Sequence, residues 1–374
     1  MANAKSEWLG VTLRVQSVGG DITDVLHRLF DTPDLLEAIA PLNCILLLDS
    51  PVVLTDALYA EMPANRVLFA ISAASLADED ARNHALDLLE HGYQILLDGP
   101  APEGVALPPA LRARALDCSA GVAADCAMAA MFGPHLARQV GTPERLAECV
   151  AAGFEWFSGD YVLHPETAEL NDGSSRKRML ALLGLLARDA ESRELEVLLK
   201  QDPALSFHLL KLVNSAAFAL TTTITSFAQA INLLGRRQLQ RWLQLLLYAR
   251  HQDDGQLNPL LPIAAQRAAQ MEALCKAQGG DREEQDLAFM IGVFSLLDVL
   301  FSMPMMEIVG ALGMDPDATS ALLLREGRMG HLLRLVEHAT PDAAGLARAE
   351  IATEVWWKSQ LHAYHWAIQV SRNL

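Results

Sequence analysis

The sequence predicts an α/β domain followed by an all-helical domain. Three observations carry this. Up to residue 168, short apolar runs of strand character alternate with segments of helical spacing. From Glu169 to Arg178 the chain reads ELNDGSSRKR, a polar stretch with Gly, Ser and adjacent charges that reads as a linker. Beyond it, every apolar pattern has a helical period. A chain of 374 residues exceeds what one core usually holds, so the expected division is 1–168, a linker at 169–178, and 179–374.

The elements of the first domain follow in order. Cys44 to Leu48 is a continuous apolar run closed by Asp49-Ser50-Pro51, the pattern of a buried parallel strand entering a loop. Val52 to Leu58 reads as a short helix. Arg66 to Ile71 is a second strand. Asp78 to His91 has helical spacing through Ala81, Ala85, Leu88 and Leu89 and stops at Gly92. Tyr93 to Leu97 is a third strand, ended by Asp98-Gly99-Pro100, and Ala115 to Cys118 is a fourth. Thr142-Pro143-Glu144 opens a helix that runs to Ala152 before Gly153. Strands alternating with helices imply parallel βα units.

In the second domain, Met179 to Ala187 repeats Leu at helical spacing, and Leu195, Leu198 and Leu199 follow. Asp202 caps a helix with Pro203 in its first turn, where the missing N–H does no harm. Leu205, Leu209, Leu212 and Val213 line one face of it. Asn214-Ser215 stands where that face ends, and Asn214 reads as a C-cap. Ser226 to Gln229 is a capping box. Ala230, Ile231 and Leu234 continue its helix to Gly235, a C′ residue. Leu239, Trp242, Leu243, Leu246 and Leu247 mark the next helix. Further helices are predicted over 263–277, 285–301, 305–312, 318–325 and 329–339. A last one runs from Ala344 to about Val370 with Trp356, Trp357 and Trp366.

Composition narrows the function classes. Apolar residues make up 51% and charged residues 20%, which suits packed globular domains. The net charge of −17 argues against a nucleic-acid or anionic-membrane partner for the chain as a whole. Arg236, Arg237, Arg241 and Arg250 are a local exception, read as a solvated face or a partner contact. The five cysteines have no zinc-type spacing and read as reduced, mostly buried thiols. The N-terminus lacks a signal-peptide hydrophobic core. Leu287 to Leu297, the longest apolar run, is too short to span a bilayer and reads as a core helix. These features point to the cytoplasm.

Several positions carry a family resemblance. Asp202-Pro203, Leu205, Leu209-Leu210, Val213-Asn214-Ser215, Phe218, Ile224, Ser226, Ala230-Ile231 and Leu234-Gly235 resemble the signature of the HDOD family. These are bacterial signalling domains related to HD metal-dependent phosphohydrolases. The resemblance implies an all-helical domain and a missing active site. HD enzymes carry an adjacent His-Asp pair on a core helix. Here that helix reads GVFSLLD from Gly292 to Asp298, with Ser295 and Leu296 at the two positions. Leu is no metal ligand and Ser is a poor one. Asp298 is the one carboxylate in the run. It calls for a partner because an unpaired buried charge is costly, and Arg267, Arg325 and Arg334 are candidates.

The first domain resembles the EAL family, whose members hydrolyse cyclic di-GMP on a modified TIM barrel. Gly92-Tyr93, Ile95, Leu97-Asp98, Gly153-Phe154, Phe157, Gly159-Asp160-Tyr161 and Pro165 carry the likeness, over roughly residues 10 to 168. This is shorter than a full barrel of about 250 residues, so the resemblance implies a reduced TIM-barrel-like domain. EAL enzymes hold divalent cations with carboxylates and an amide at strand C-termini. Those letters are absent here. The Glu-Ala-Leu motif is missing from the start of the chain. Glu37-Ala38-Ile39 lies in a segment that reads as helix from Asp34, and Glu272-Ala273-Leu274 lies in a helix of the second domain. The Asn after the second strand is Asp49 or Ser50, and the Glu of the next strand is Ala70. The Asp pair is reduced to Asp98, and the Lys of Lys-Ile-Asp becomes Ala115 or Leu116, leaving Asp117. The late Glu is Gly141 and the Gln is Ser158. Asp98 and Asp117 alone cannot build a two-metal site and read as caps of strand-to-loop turns.

No metal and no cofactor are expected. His362 and His365 share a helical face, but their Trp neighbours point to packing or an interface. The leading expectation is a non-enzymatic bacterial signalling protein that works through protein contacts of its helical domain. An acidic partner, or a second copy of this acidic chain, could meet Arg236, Arg237 and Arg241. Two alternatives stand beside it. One is a sensor that binds cyclic di-GMP without cutting it. The other is a phosphohydrolase that pairs Asp298 with a histidine brought in by the fold.

Overall fold

The structure, a computed structural model, describes residues 1–14, 22–31, 34–100, 104–105, 107–122, 133–164, 181–187, 194–195, 197, 209–210, 224, 227–248, 258–338, 340–341 and 343–373. The chain divides into two units, Met1–Glu166 and Thr167–Leu374. The 169–178 segment lies outside the described residues.

Unit one is a curled sheet of seven parallel strands in sequence order: β1 (Gly10–Arg14), β2 (Asn43–Leu48), β3 (Val67–Ser72), β4 (Gln94–Asp98), β5 (Arg114–Asp117), β6 (Leu136–Arg138) and β7 (Trp156–Phe157). Each strand neighbours the next, as parallel βα units demand, and the arrangement is compatible with a TIM-like fold. The sequence pattern finds β2 to β5 and misses β1, β6 and β7, which are short or mixed in polarity. Hydrogen bonds at the N-terminus join the two edges of the sheet. Ala2 exchanges backbone bonds with Phe157 of β7, at 2.9 and 2.8 Å, and also bridges Trp8, just before β1.

Helices of this unit are α1 (Ile22–Asp31), α2 (Asp34–Ala38), α3 (Asp56–Glu61), α4 (Glu79–Glu90) and α5 (Pro143–Ala151). Asp78 caps α4 by accepting from the Ala81 amide at 3.1 Å. Thr142 caps α5 through the Arg145 amide at 3.2 Å, and Pro143 occupies the first turn. The helix expected over 52–58 is instead a 3-10 turn, Pro51–Val53, followed by α3. Leu54 is extended and Thr55 takes the N-cap, so the chain restarts there.

Unit two is helical. Its labelled elements are α6 (Phe227–Leu246), α7 (Leu260–Ala277), α8 (Arg282–Phe294), α9 (Leu297–Phe301), α10 (Met305–Leu312), α11 (Pro316–Leu324), α12 (Gly327–Val336), α13 (Ala343–Arg348) and α14 (Thr353–Asn373). Helix α7 is the central strut. It buries Leu261, Ala264, Ala268, Met271 and Leu274, and both α8 and α14 pack along it. Gly292 lets α8 approach closely, since a Cβ there would stand 2.6 Å from the Ala268 Cα. Trp366 of α14 packs its ring 5.7 Å from Trp242 and 5.5 Å from Phe289.

Residues 227–246 hold the two expected helical stretches, which meet at Gly235 with φ 73° and ψ 160°, a positive φ that suits a C′ glycine. Two expectations need correction here. The helix expected over 285–301 is two, α8 and α9, broken at Ser295 and Leu296. The helix expected from Ala344 to Val370 is also two. Glu350 has φ 55°, and the chain turns there before α14. Among the described residues no helix is long and apolar enough to cross a membrane.

Candidate functional site

Strand side chains alternate between faces, so each strand sends one row inward. That row holds Ile45, Leu68, Ala70, Leu96, Ala115 and Leu136, with Met1, Leu47 and Trp156 packed against it. Two residues beyond Leu96, Ala115 and Leu136, the same rows reach Asp98, Asp117 and Arg138, the last residues of β4, β5 and β6. Arg14 ends β1 and is paired in register with Leu47. Parallel strands therefore gather these four charged side chains at one mouth of the sheet. Asp49 follows β2 directly and is exposed, and Ser158 follows β7.

The mouth is not a carboxylate cluster. Asp98 forms an ion pair with Arg138, two strands away, with side chains 19% and 22% exposed. This corrects its reading as a turn cap. Burial pushes the Asp98 carboxyl above its usual range, outweighing the downward pull of Arg138 and Arg14. Asp117 does cap a turn, accepting from the Ser119 amide at 2.9 Å, and hydrogen bonds from the Ser119 side chain and then its amide hold the carboxyl below the usual range. Ala70 lies mid-strand, 1% exposed, and offers only a methyl group. The Val140 amide donates to the Ser158 carbonyl at 3.0 Å. Gly159 has φ 146°, and a Cβ there would stand 2.2 Å from the Val140 carbonyl oxygen, so only glycine fits against the Val140 backbone. Pattern reasoning missed Arg14 and Arg138. Their signal was a terminal Arg on each of two short strands.

In the helical unit a second polar group sits in the core. Arg267 of α7 is 7% exposed. Its Nη1 donates to Ser295 Oγ at 3.1 Å and lies 3.9 Å from Glu337 Oε1. Ser295 in turn donates to the Gly292 carbonyl at 2.8 Å. Arg325 grips Glu337 with Nε and Nη2, at 2.6 to 3.2 Å. Tyr248, fully buried, donates to the Val293 carbonyl at 2.7 Å, and burial pushes its hydroxyl well above the ordinary value. Asp298 stands in the first turn of α9 and accepts from the Val299 amide at 2.9 Å. Arg267 and Arg325 thus take Glu337 as their ion-pair partner, and Arg334 donates to the Arg325 carbonyl.

Residues 177–306 match the family model of the HDOD domain. The chain carries an HDOD domain. It is 30% identical over 204 residues to the protein named Cyclic di-GMP phosphodiesterase CdgJ of Vibrio cholerae, covering 54% of this chain and 47% of that one. It is 27% identical over 238 residues to the uncharacterised protein YuxH of Bacillus subtilis, covering 62% and 58%. The chain thus spans about half the length of these relatives. A crystal structure of an HDOD domain protein of unknown function from Geobacter sulfurreducens is 13% identical, with a TM-score of 0.31, over 52% of this chain and 86% of that one.

Within the HDOD domain, Asp202, Pro203, Asn214, Ser215 and Ser226 lie outside the described residues. Ser295 and Leu296 form the break between α8 and α9, the first as C-cap and the second with φ −117° and ψ 11°. Both are buried. Ser295 faces a guanidinium, and Leu296 supplies hydrocarbon. Arg237 and Arg241 of α6 pair with acids of the same unit. Arg241 bonds Glu272 and Asp286, the latter at 2.9 Å, and stacks 4.7 Å from the Phe289 ring centre. Arg237 also pairs with Asp286. The side chains of Arg236 and Arg250 lie outside the described residues.

His362 and His365 are exposed on α14. Cys44, Cys118, Cys149 and Cys275 are free and buried, while Cys126 lies outside the described residues. Among the described residues no group of three or more His, Cys, Asp or Glu side chains is placed to hold a metal ion.

Proposed function

We propose that this chain is a non-catalytic signal-transduction protein, with a degenerate EAL-like sheet and an HDOD domain that acts through protein contacts. One observation carries the reading: the inward rows of the sheet end in the Asp98–Arg138 pair above an apolar interior that includes Ala70. A two-metal phosphodiesterase needs several oxygen ligands converging on hard cations. Here one acid is neutralised by a guanidinium, another caps a turn, and Ala70 on the neighbouring β3 carries a methyl group. The HDOD domain lacks a His-Asp pair at Ser295 and Leu296 but keeps a dense core. A fold that keeps its core without its ligands still presents a fixed surface.

A second reading has support of its own. Arg14 and Arg138 end β1 and β6 at the same mouth, and two guanidiniums suit phosphate groups. One relative is named a cyclic di-GMP phosphodiesterase. A sensor that binds this nucleotide without cutting it fits both facts. Calorimetric titration of metal-analysed protein with cyclic di-GMP in Mg²⁺ separates the two. The adaptor reading expects no binding heat. Micromolar binding that Arg138→Met weakens overturns it in favour of the sensor.

A further inference from the structure

The HDOD match ends at residue 306, yet its buried Arg267 reaches past that limit. Arg267 sits on α7 inside the match, and Glu337 caps α12 beyond it. Four groups form a chain: Ser295 Oγ, the Arg267 guanidinium, the Glu337 carboxylate and the Arg325 guanidinium, with links of 3.1, 3.9 and 2.6 Å. One end is the α8–α9 break. The other end is the α11–α12 corner, where Arg325 has φ 58°, a left-handed conformation that non-glycine residues rarely adopt.

Each end is tight. At the break, Ser295 satisfies the Gly292 carbonyl, and Leu296 departs from helical geometry. At the corner, Gly330 lies so close that a Cβ there would stand 2.3 Å from the Arg325 carbonyl carbon. Arg325 also donates to the Leu322 carbonyl. The buried guanidinium between these ends is costly unless matched, and burial pushes its pKa down while Glu337 gives the largest opposing pull. The run from Ala288 to Leu297 is apolar apart from Ser295, and Gly292 faces the α7 backbone.

We propose that Arg267 is a positioning residue that latches the α8–α9 break of the HDOD domain to the α11–α12 corner, so that the two open and close together. The latch is a conformational device: a partner that draws Glu337 away from Arg267 loosens the break 42 positions earlier in the chain, at Ser295. The inference does not depend on whether the protein binds or cuts a nucleotide.

Hydrogen exchange of the full chain tests it. The reporters at the break are the Ser295, Leu300 and Met303 amides, bonded to Ile291, Leu296 and Asp298 carbonyls. Those at the corner are the Arg325 and Glu337 amides, bonded to Ala321 and Leu333. Arg267→Met fills the same space without charge and is expected to speed exchange about tenfold at both sets, with α14 unchanged. Arg267→Lys keeps a cation and is expected to restore part of the protection. Glu337→Gln, which keeps volume and removes the carboxylate charge, provides an independent route to the same pair of changes if Arg267→Met does not fold. Wild-type exchange at both sets in Arg267→Met or Glu337→Gln overturns the proposal, and so does loosening at only one set.

Discussion

Arg138, the last residue of β6, reaches across β5 to the carboxylate of Asp98, the last residue of β4. Both side chains are about four-fifths covered, at 22% and 19% exposure, so the pair is shielded from solvent screening. Replacing Arg138 with Met leaves a largely covered carboxylate without its ion-pair partner and is expected to cost about 2 kcal/mol. The sign with pH is fixed. Burial already holds the Asp98 pKa above its usual range, and losing Arg138 raises it further. A raised carboxyl stabilises the fold below its unfolded pKa and loses that contribution as pH rises through the folded value. The penalty in Arg138→Met should therefore grow from pH 4 to pH 7 in urea titrations. A penalty that shrinks over this range contradicts the assignment.

Gly292→Ala sets two effects against each other. Alanine gains up to about 1 kcal/mol of helix propensity over glycine. The added Cβ would stand 2.6 to 2.9 Å from the Ala268 and Arg267 backbone, and α7 is also packed by α14. Overpacking against backbone costs about 1–3 kcal/mol, and here no flexible side chain can yield. A net loss of about 1–2 kcal/mol is expected from a shifted denaturation midpoint. A variant as stable as wild type shows that the two helices separate freely.

The buried thiols give a chemical readout. Burial pushes Cys44 and Cys118 up to about 12, and raises Cys149 and Cys275. Thiolate is the nucleophile, so these four should resist alkylation at pH 8 until denaturant is added. The linkage runs downhill with alkali. A folded pKa above the unfolded value of about 8.5 means stability is present below that pH and falls as pH rises toward the folded value. Mass spectrometry after a timed iodoacetamide pulse resolves each site. Rapid labelling of Cys44 in native protein contradicts its placement at 0% exposure.

The N-terminal hook joins the sheet's edges. Ala2 takes both backbone bonds of Phe157, and Asn3 closes the turn by accepting from the Lys5 and Glu7 amides. Removing residues 1–9 strips β7 of these bonds and the inner row of Met1. Unpaired strand edges promote association. Light scattering should show the truncated protein forming larger species at concentrations where the intact chain does not.

Legibility followed the range of the forces involved. Strands β2 to β5 are apolar runs bounded by turn residues, and their signal is local. β7 is two residues long and β6 three, too short to show a period, and they exist because neighbouring strands pair with them. Helix α4 announced itself through Asp78 and Gly92, a cap at each end. The break at Ser295 did not, and the side chain that bonds Ser295, Arg267, lies 28 positions earlier. Asp98 likewise finds its partner 40 positions later. The acids that engage Arg241, Glu272 and Asp286, come from two other helices. Burial was readable from pattern, whereas the pairing of charges across elements depended on the fold.

The central claim is that the chain does not turn over cyclic di-GMP. The direct measurement is product formation by purified protein incubated with cyclic di-GMP and Mg²⁺ or Mn²⁺, quantified by chromatography across a range of protein concentrations. The account predicts no linear dinucleotide above the protein-free control. Product that rises in proportion to protein and vanishes with a chelator contradicts it and makes the sheet's mouth an active site.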